Sequence, residues 1–270
     1  MIQNQSLAGA SREQQQRFPA LNSEPSIYVA LPAYNEEGGL PSLLKKLDQT
    51  LSQQPLPYQI IVVDDASTDQ TASVAEEASE TMPVQLVKHS VNKGLSGALD
   101  TCFRTAMKVA MPGDVIITMD ADDTHGPATI ERLMLKINEG YDVVIASRYQ
   151  EGSRVVGVPF NRVLMTWFAR MLFKMVMPIP GVRDYTCGYR AYRFDVLRTG
   201  MEHYGDDWVS ERGFTCMVDV LLKLRRFKFV MGEVPMLLRY DQKLGDSKMK
   251  VASTATRTLK LLLKRRLSGY

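Results

Sequence analysis

The chain has 270 residues, 45% of them hydrophobic, and a formal net charge of +3. That length and apolar content allow a sizeable core, in one large α/β domain or a domain with an appendage, and the charge is too mild to argue for nucleic acid. The three cysteines, Cys102, Cys187 and Cys216, are odd in number and lack metal-type spacing, which argues against a disulfide framework or a zinc site and for a reducing, cytoplasmic setting.

Residues 1–25 are rich in Gln, Ser and Ala without an apolar run, so a disordered tail is expected there and not a signal peptide. From Ser26, short β-branched runs alternate with helical patterns: IYVAL then 36–52, QIIVVDD then 69–80, VQLVKH then 95–110, DVIITMD then 127–139, and YDVVIASRY. Such alternation predicts an α/β fold, a Rossmann-like and mostly parallel sheet flanked by helices. Ligands of such sheets bind at the strand C-termini. No Pro/Gly-rich linker divides the body, so one domain is expected over 26–250, followed by a basic segment, 251–270.

After Tyr149 the pattern changes to a Met- and Phe-rich helix (160–177), an irregular segment GVRDYTCGYRAYRFDVL, a helix around 211–226 and the run FKFVMGEVPMLLRY. In the first of these, Arg162, Thr166, Arg170 and Lys174 recur every fourth residue and form one polar stripe. The rest of that helix is apolar, with Trp167, Phe168, Met171 and Met175, which suits a helix lying in a bilayer interface; a core helix with snorkelling basic heads is the alternative. A membrane span is not expected, because a central cation costs roughly 2.5–3.5 kcal/mol on insertion. The C-terminal RTLKLLLKRRLSGY combines leucines with basic residues that attract anionic lipid. RNA would give the same composition a use, but no aromatic stacking platform accompanies it.

Four strands end in polar clusters: Pro32–Glu37, Asp64–Asp69, Asn92–Ala98 and Asp120–Pro127. One such cluster could be helix capping, and Asp69 or Asp123 could cap the helix that follows. Four at one sheet edge point to a site. Asp120 and Asp122 stand at i and i+2, so in extended chain both carboxylates reach one hard cation. Mg²⁺ or Mn²⁺ held by two carboxylates and phosphate oxygens fits that pair better than a closed cage. Asp64 and Asp65 can accept from a ribose hydroxyl or a base N–H, and Lys93-Gly94 before a helix can meet phosphate.

Taken in order, PAYNEE, VVDDASTD, NKGLSGA, MDADDTHGP and ASRY resemble the family 2 glycosyltransferases of GT-A fold, in particular the dolichol-phosphate mannosyltransferase and polyprenyl-phosphate glycosyltransferase type. The similarity extends through VRDYTCGYRAYRFDVL and MGEVPMLLRYDQKLGDSKMK, from about Ile27 to Met249. It implies that Pro32, Tyr34, Asn35, Glu36, Asp64 or Asp65, Lys93, Asp120 and Ala121 surround a nucleotide. It also implies that Asp120 and Asp122 hold the Mg²⁺ or Mn²⁺ that bridges its diphosphate, with Asp122 and Arg148 as catalytic residues. Arg148, Arg162 and Thr166 would contact a lipid phosphate acceptor, and Lys248 would face one of the phosphates.

Two positions depart from that pattern. Thr124 replaces the Gln or Ser frequent in relatives, and Gln242 replaces an arginine, which passes phosphate binding to Lys243 or Arg239. Asp219 stands where Glu is frequent. The resemblance implies a metal-dependent inverting hexosyltransferase that uses a GDP- or UDP-sugar and a polyprenyl phosphate at the cytosolic membrane face. The alternatives are a glycan, glycolipid or small-molecule hydroxyl acceptor, or an inactive nucleotide-binding scaffold. A phosphate monoester is already nucleophilic at neutral pH, which accords with only three histidines, His89, His125 and His203. His125 reads as a supporting or solvent-facing residue.

Overall fold

The computed structural model describes residues 25–158, 170–242 and 261–262. Strands β1 (Ile27–Ala33), β2 (Tyr58–Asp64), β3 (Val84–Lys88), β4 (Val115–Thr118), β5 (Val143–Ser147), β7 (Arg190–Arg193) and β8 (Met231–Pro235) form one sheet, in the order β3-β2-β1-β4-β7-β5-β8. All pairings are parallel except those of β7, which runs antiparallel to both β4 and β5. Isoleucine and valine make the inner strands nearly continuous apolar runs: all four residues of β4 and all five of β5 are buried. Such runs are expected where helices cover both sheet faces.

The covering helices are amphipathic. In α1 (Leu40–Leu51) the buried residues Leu40, Leu43, Leu44, Leu47 and Leu51 form one stripe at helical spacing. Helix α3 (Gly94–Val109) buries Ala98, Leu99, Cys102, Phe103 and Ala106; α2 (Thr71–Ser79) and α4 (Thr129–Asn138) complete the crossovers. Beyond β7 come α5 (Phe194–Tyr204) and α6 (Thr215–Leu224). Every residue of α6 is buried, including Asp219 and Lys223. These two pair at 2.7 Å, and Lys223 Nζ also donates to the Trp208 carbonyl at 3.1 Å, so neither charge is left without compensation.

The expected strands and helices of the first half are present with end shifts of a few residues. Of the segment read as irregular, residues 181–189 form no helix or strand, but RAYR is β7, a central strand, and FDVL opens α5. Two arginines obscured it, since a buried strand ordinarily lacks them. Arg190 is fully buried because its guanidinium donates to the Met217 carbonyl (2.6 Å) and the Tyr185 carbonyl (2.8 Å). No helix among the described residues is long and apolar enough to cross a membrane. Of the expected interfacial helix, residues 170–176 are helical; its first part and nearly all of the basic C-terminal run lie outside the described residues.

Strands β1 to β3 progress outward in one direction, and the crossover through α3 then returns to the other side of β1, where β4 pairs with it. Such a reversal of strand order is where sheets of this kind bind ligands, in a crevice outside the strand C-termini; here the loops after β1 and β4 pack on each other beside it, and a Cβ at Gly39 would lie 3.0 Å from the Asp122 carbonyl carbon.

Candidate active site

Both flanks of the crevice are built by side chain to backbone bonds. Asn35 has φ +52 and Ala66 φ +57, left-handed conformations that surroundings must hold in place. Asn35 N donates to Ser67 Oγ at 2.9 Å, and its Oδ1 accepts Thr68 N at 2.8 Å. Glu36 N donates to Thr71 Oγ1 at 2.7 Å. Asp69 accepts Thr71 N (3.0 Å) and Glu37 N (3.2 Å), so it ties the two loops together as well as opening α2. Tyr34 is 36% exposed at the rim, and Pro32 lies within β1 opposite Val63.

Asp64 and Asp65 are both nearly inaccessible. Asp64 Oδ1 accepts Ser67 N at 3.2 Å. Asp65 Oδ1 accepts Lys93 N at 2.8 Å and contacts His89 Nδ1 at 2.7 Å, while its carbonyl accepts Asn92 Nδ2 at 3.0 Å. Asp65 therefore fixes the NKG turn at the start of α3. The Lys93 side chain remains exposed at that turn.

Next to the crevice, Asp120 and Asp122 follow β4. Asp122 is 8% exposed, and its Oδ1 accepts both the backbone N (3.2 Å) and the Oγ1 (2.6 Å) of Thr124. Thr124 thus orients a carboxylate. Ala121 between them is buried. Asp123, φ +57, does not cap α4; its Oδ2 pairs with Lys46 Nζ of α1 at 2.6 Å. His125 is buried and stacked on Tyr189 with ring centroids 5.3 Å apart, so it does not face solvent.

Among the described residues no three His, Cys, Asp or Glu side chains gather as a metal cage. The two carboxylates that could hold a cation are Asp120 and Asp122. An all-oxygen pair of this kind fits a hard divalent ion whose other positions are taken by diphosphate oxygens and water.

Arg148, just past β5, is held by a residue that sequence reasoning left without a role. Its Nε and Nη2 donate to the two oxygens of Asp184 at 2.7 and 2.6 Å, and Nη2 also donates to Thr186 Oγ1 at 2.6 Å. Burial opposes both charges, but mutual attraction and hydrogen bonding prevail: the Arg148 guanidinium is held above its ordinary value and the Asp184 carboxyl below the usual carboxylate range. The same segment reaches the acid pair, because Gly188 passes so close that a Cβ there would sit 3.6 Å from Asp120 Oδ1. Residues 184–188 thus touch Arg148 at one end and Asp120 at the other.

A two-stranded parallel ribbon, β6 (Arg154–Val156) with β9 (Leu237–Arg239), borders the acid loop. Arg239 N donates to the Thr124 carbonyl at 2.9 Å, while its guanidinium pairs with Asp241 at 2.9 Å. Its backbone is therefore at the site and its charge is partly spent. Arg162, Thr166, Lys243 and Lys248 lie outside the described residues. The supporting roles of Lys46, His89 and Asp184 are not announced by spacing; His89 ends the run VQLVKH and Asp184 stands inside VRDYT, both segments already noted.

The model of glycosyl transferase family 2 matches residues 28–200, spanning both flanks of the crevice, the acid pair and Arg148. The chain belongs to glycosyl transferase family 2. It is 36% identical over 225 residues to a dolichol-phosphate mannosyltransferase of Pyrococcus furiosus, a match covering 83% of this chain and 59% of that one. The chain thus spans well under two thirds of that relative. It is 33% identical to an undecaprenyl-phosphate mannosyltransferase of Micrococcus luteus, over 83% of this chain and 87% of the relative. Glucosyl-3-phosphoglycerate synthase from Mycobacterium tuberculosis, solved with Mn²⁺, UDP and glucosyl-3-phosphoglycerate, superposes with a TM-score of 0.64 at 20% identity, covering 89% of this chain and 80% of that one. That likeness shows the GT-A-type fold shared by this family 2 chain.

Proposed function

We propose that the protein is an inverting hexosyltransferase that moves a sugar, mannose first among the candidates, from a nucleoside diphosphate to a polyprenyl phosphate at the cytosolic face of a membrane. The observation that supports this reading is that residues 184–188 run from the locked Arg148, held by Asp184, to the neighbourhood of Asp120. Such a site has a place for a diphosphate leaving group beside a place for a second phosphate. The names of the two curated relatives support the lipid phosphate and the mannosyl donor.

Within this reading, the loops 34–37 and 64–69 receive the nucleoside, and Lys93 lies beside its phosphates. Asp120 and Asp122 hold the divalent cation, which when bound neutralises charge developing on the departing diphosphate. Arg148, kept cationic by Asp184, orients the acceptor phosphate, one of whose oxygens attacks the anomeric carbon as the bond to the diphosphate breaks. A phosphate oxygen needs no base. This agrees with the histidines: His89 bridges Asp65 and Thr101, and His125 is buried against Tyr189.

The test is transfer of label from a panel of GDP- and UDP-sugars into organic solvent, with Mg²⁺, Mn²⁺ or chelator, and with or without polyprenyl phosphate. Metal-dependent label in the lipid phase with GDP-mannose is the expected result. Donor hydrolysis with no lipid product in any arm would move the acceptor to a hydroxyl compound.

A further inference from the structure

At the β8 edge of the sheet lies a pocket of about 580 Å³ that none of the proposed donor or acceptor residues lines. Its wall comes from the helical residues 170–176, the segment 178–185 and the start of β8. Arg170 and Lys174, at i and i+4, share the helix face that lines it, and Arg183 joins them in the lining; Arg170 lies over the Tyr149 ring at 4.6 Å and Arg183 Nη1 donates to the Tyr149 carbonyl at 3.5 Å. Lys136 completes the basic rim but is engaged by Glu139 at 2.7 Å. One carboxylate sits at the floor: Glu233, whose Oε1 accepts Arg183 N (2.5 Å) and Asp184 N (2.6 Å).

The pocket is preformed. Phe173 stacks on Tyr185 with centroids 4.8 Å apart, and the Tyr185 hydroxyl accepts Ile179 N at 2.9 Å, which fixes the helix to the segment below it. Gly181, φ +80, passes the β8 backbone so closely that a Cβ would collide with the Met231 carbonyl. Between the cations the walls are apolar: Pro178, Ile179 and Val182. On the helix beside Arg170 and Lys174, Met171 and Met175 stand out to solvent, Met175 at 68% exposure. An exposed methionine pair next to a basic, apolar-walled pocket matches an amphiphile: a phosphate anion seated among cations with acyl chains against the methionines.

We propose that this pocket is a second, non-catalytic anion site that takes the phosphate headgroup of an anionic membrane lipid. Its natural occupancy rests on the reading of the acceptor as a membrane lipid, but its binding chemistry does not. Asp184 separates the two sites: its carboxylate holds Arg148, and its backbone N–H faces Glu233.

The experiment compares sedimentation of the full-length protein with phosphatidylcholine vesicles, with and without phosphatidylglycerol. Removing Lys174 and Arg183 together (Lys174→Gln, Arg183→Gln) is expected to lower partition onto the anionic vesicles about fivefold per cation. Partition onto pure phosphatidylcholine, GDP affinity and transfer to detergent-dispersed acceptor should stay unchanged. A control pair with the same charge change at exposed Lys45 and Lys108 should lose far less. An equal loss in the control would reduce the effect to overall charge and sink the pocket. Calorimetric binding of inorganic phosphate to the wild type, lost in the double variant, without any preference for anionic vesicles, would overturn the lipid assignment in favour of a soluble phosphate. Loss of GDP affinity in the double variant would place these residues in the catalytic site. Vesicle selectivity that survives in a protein showing no sugar transfer would leave this site standing and remove only the proposed reaction.

Discussion

Arg148 and Asp184, 36 residues apart, form a two-pronged ion pair in which the carboxylate is wholly buried and the guanidinium keeps 21% of its side-chain surface exposed. The charge offered at the site is thus set from beneath by a residue that touches no solvent. A pair of this geometry makes the position of Arg148 depend on Asp184 and leaves its outer edge to a ligand.

Asp184→Asn should destabilise the fold by about 3 kcal/mol, because breaking a pair on one side leaves the other charge uncompensated. Arg148→Lys should keep a charge but lose the fork, with polyprenyl phosphate KM rising more than donor KM. Urea melts and a KM comparison for both substrates check this. Unchanged acceptor KM in Arg148→Lys would detach Arg148 from the acceptor.

The acid limb of stability should carry two opposite signatures. Attraction to Arg148 overcomes burial and depresses the Asp184 pKa, so its contribution is fully present above the unfolded value of about 3.9 and is lost as pH falls through the lower folded value. Burial raises the Glu233 pKa despite two backbone donors, so its contribution is fully present below about 4.3 and is lost as pH rises through the raised folded value. In melting curves across the acidic range, the deficit of Asp184→Asn should shrink as pH falls. Glu233→Gln should gain on the wild type as pH rises.

Asp122→Asn keeps an oxygen for the two Thr124 donors and removes a charge from the cation pair. Stability should change by less than about 1 kcal/mol, whereas turnover should fall on the order of 10²-fold or more. Mn²⁺ binding followed by electron paramagnetic resonance should weaken in parallel. Wild-type Mn²⁺ affinity in this variant would discard the metal assignment.

Lys46 reaches from α1 to the carboxylate of Asp123, the residue after Asp122, whose backbone is in the left-handed conformation. Lys46→Met should weaken Mn²⁺ binding about tenfold, the scale typical of groups that support metal ligands. Asp123→Asn should act alike, and the double variant should be no worse than either single one if the two residues act as a unit. Additive losses would show independent roles.

Much of the first half was legible because its signals are local. Alternation of apolar runs with amphipathic spacing announces β1 to β5 and α1 to α4, and two carboxylates at i and i+2 after a buried strand announce a cation pair. Each depends only on residues a few positions apart. Strand β7 was not legible: a four-residue strand with arginine at both ends looks like loop until Met217 and Tyr185 supply carbonyls for Arg190.

The supports of the site were set at longer range. Asp65 reads as a nucleotide contact, and its Oδ1 also binds His89 and Lys93, 24 and 28 residues away. Lys46 and Asp123 meet across 77 residues. Period and spacing act through the neighbouring backbone, so they fix which elements form and which residue types stand at their ends. Which charge meets which depends on how helices and loops pack over the sheet, where burial makes an unpaired charge too costly to leave and selects partners that no spacing announces.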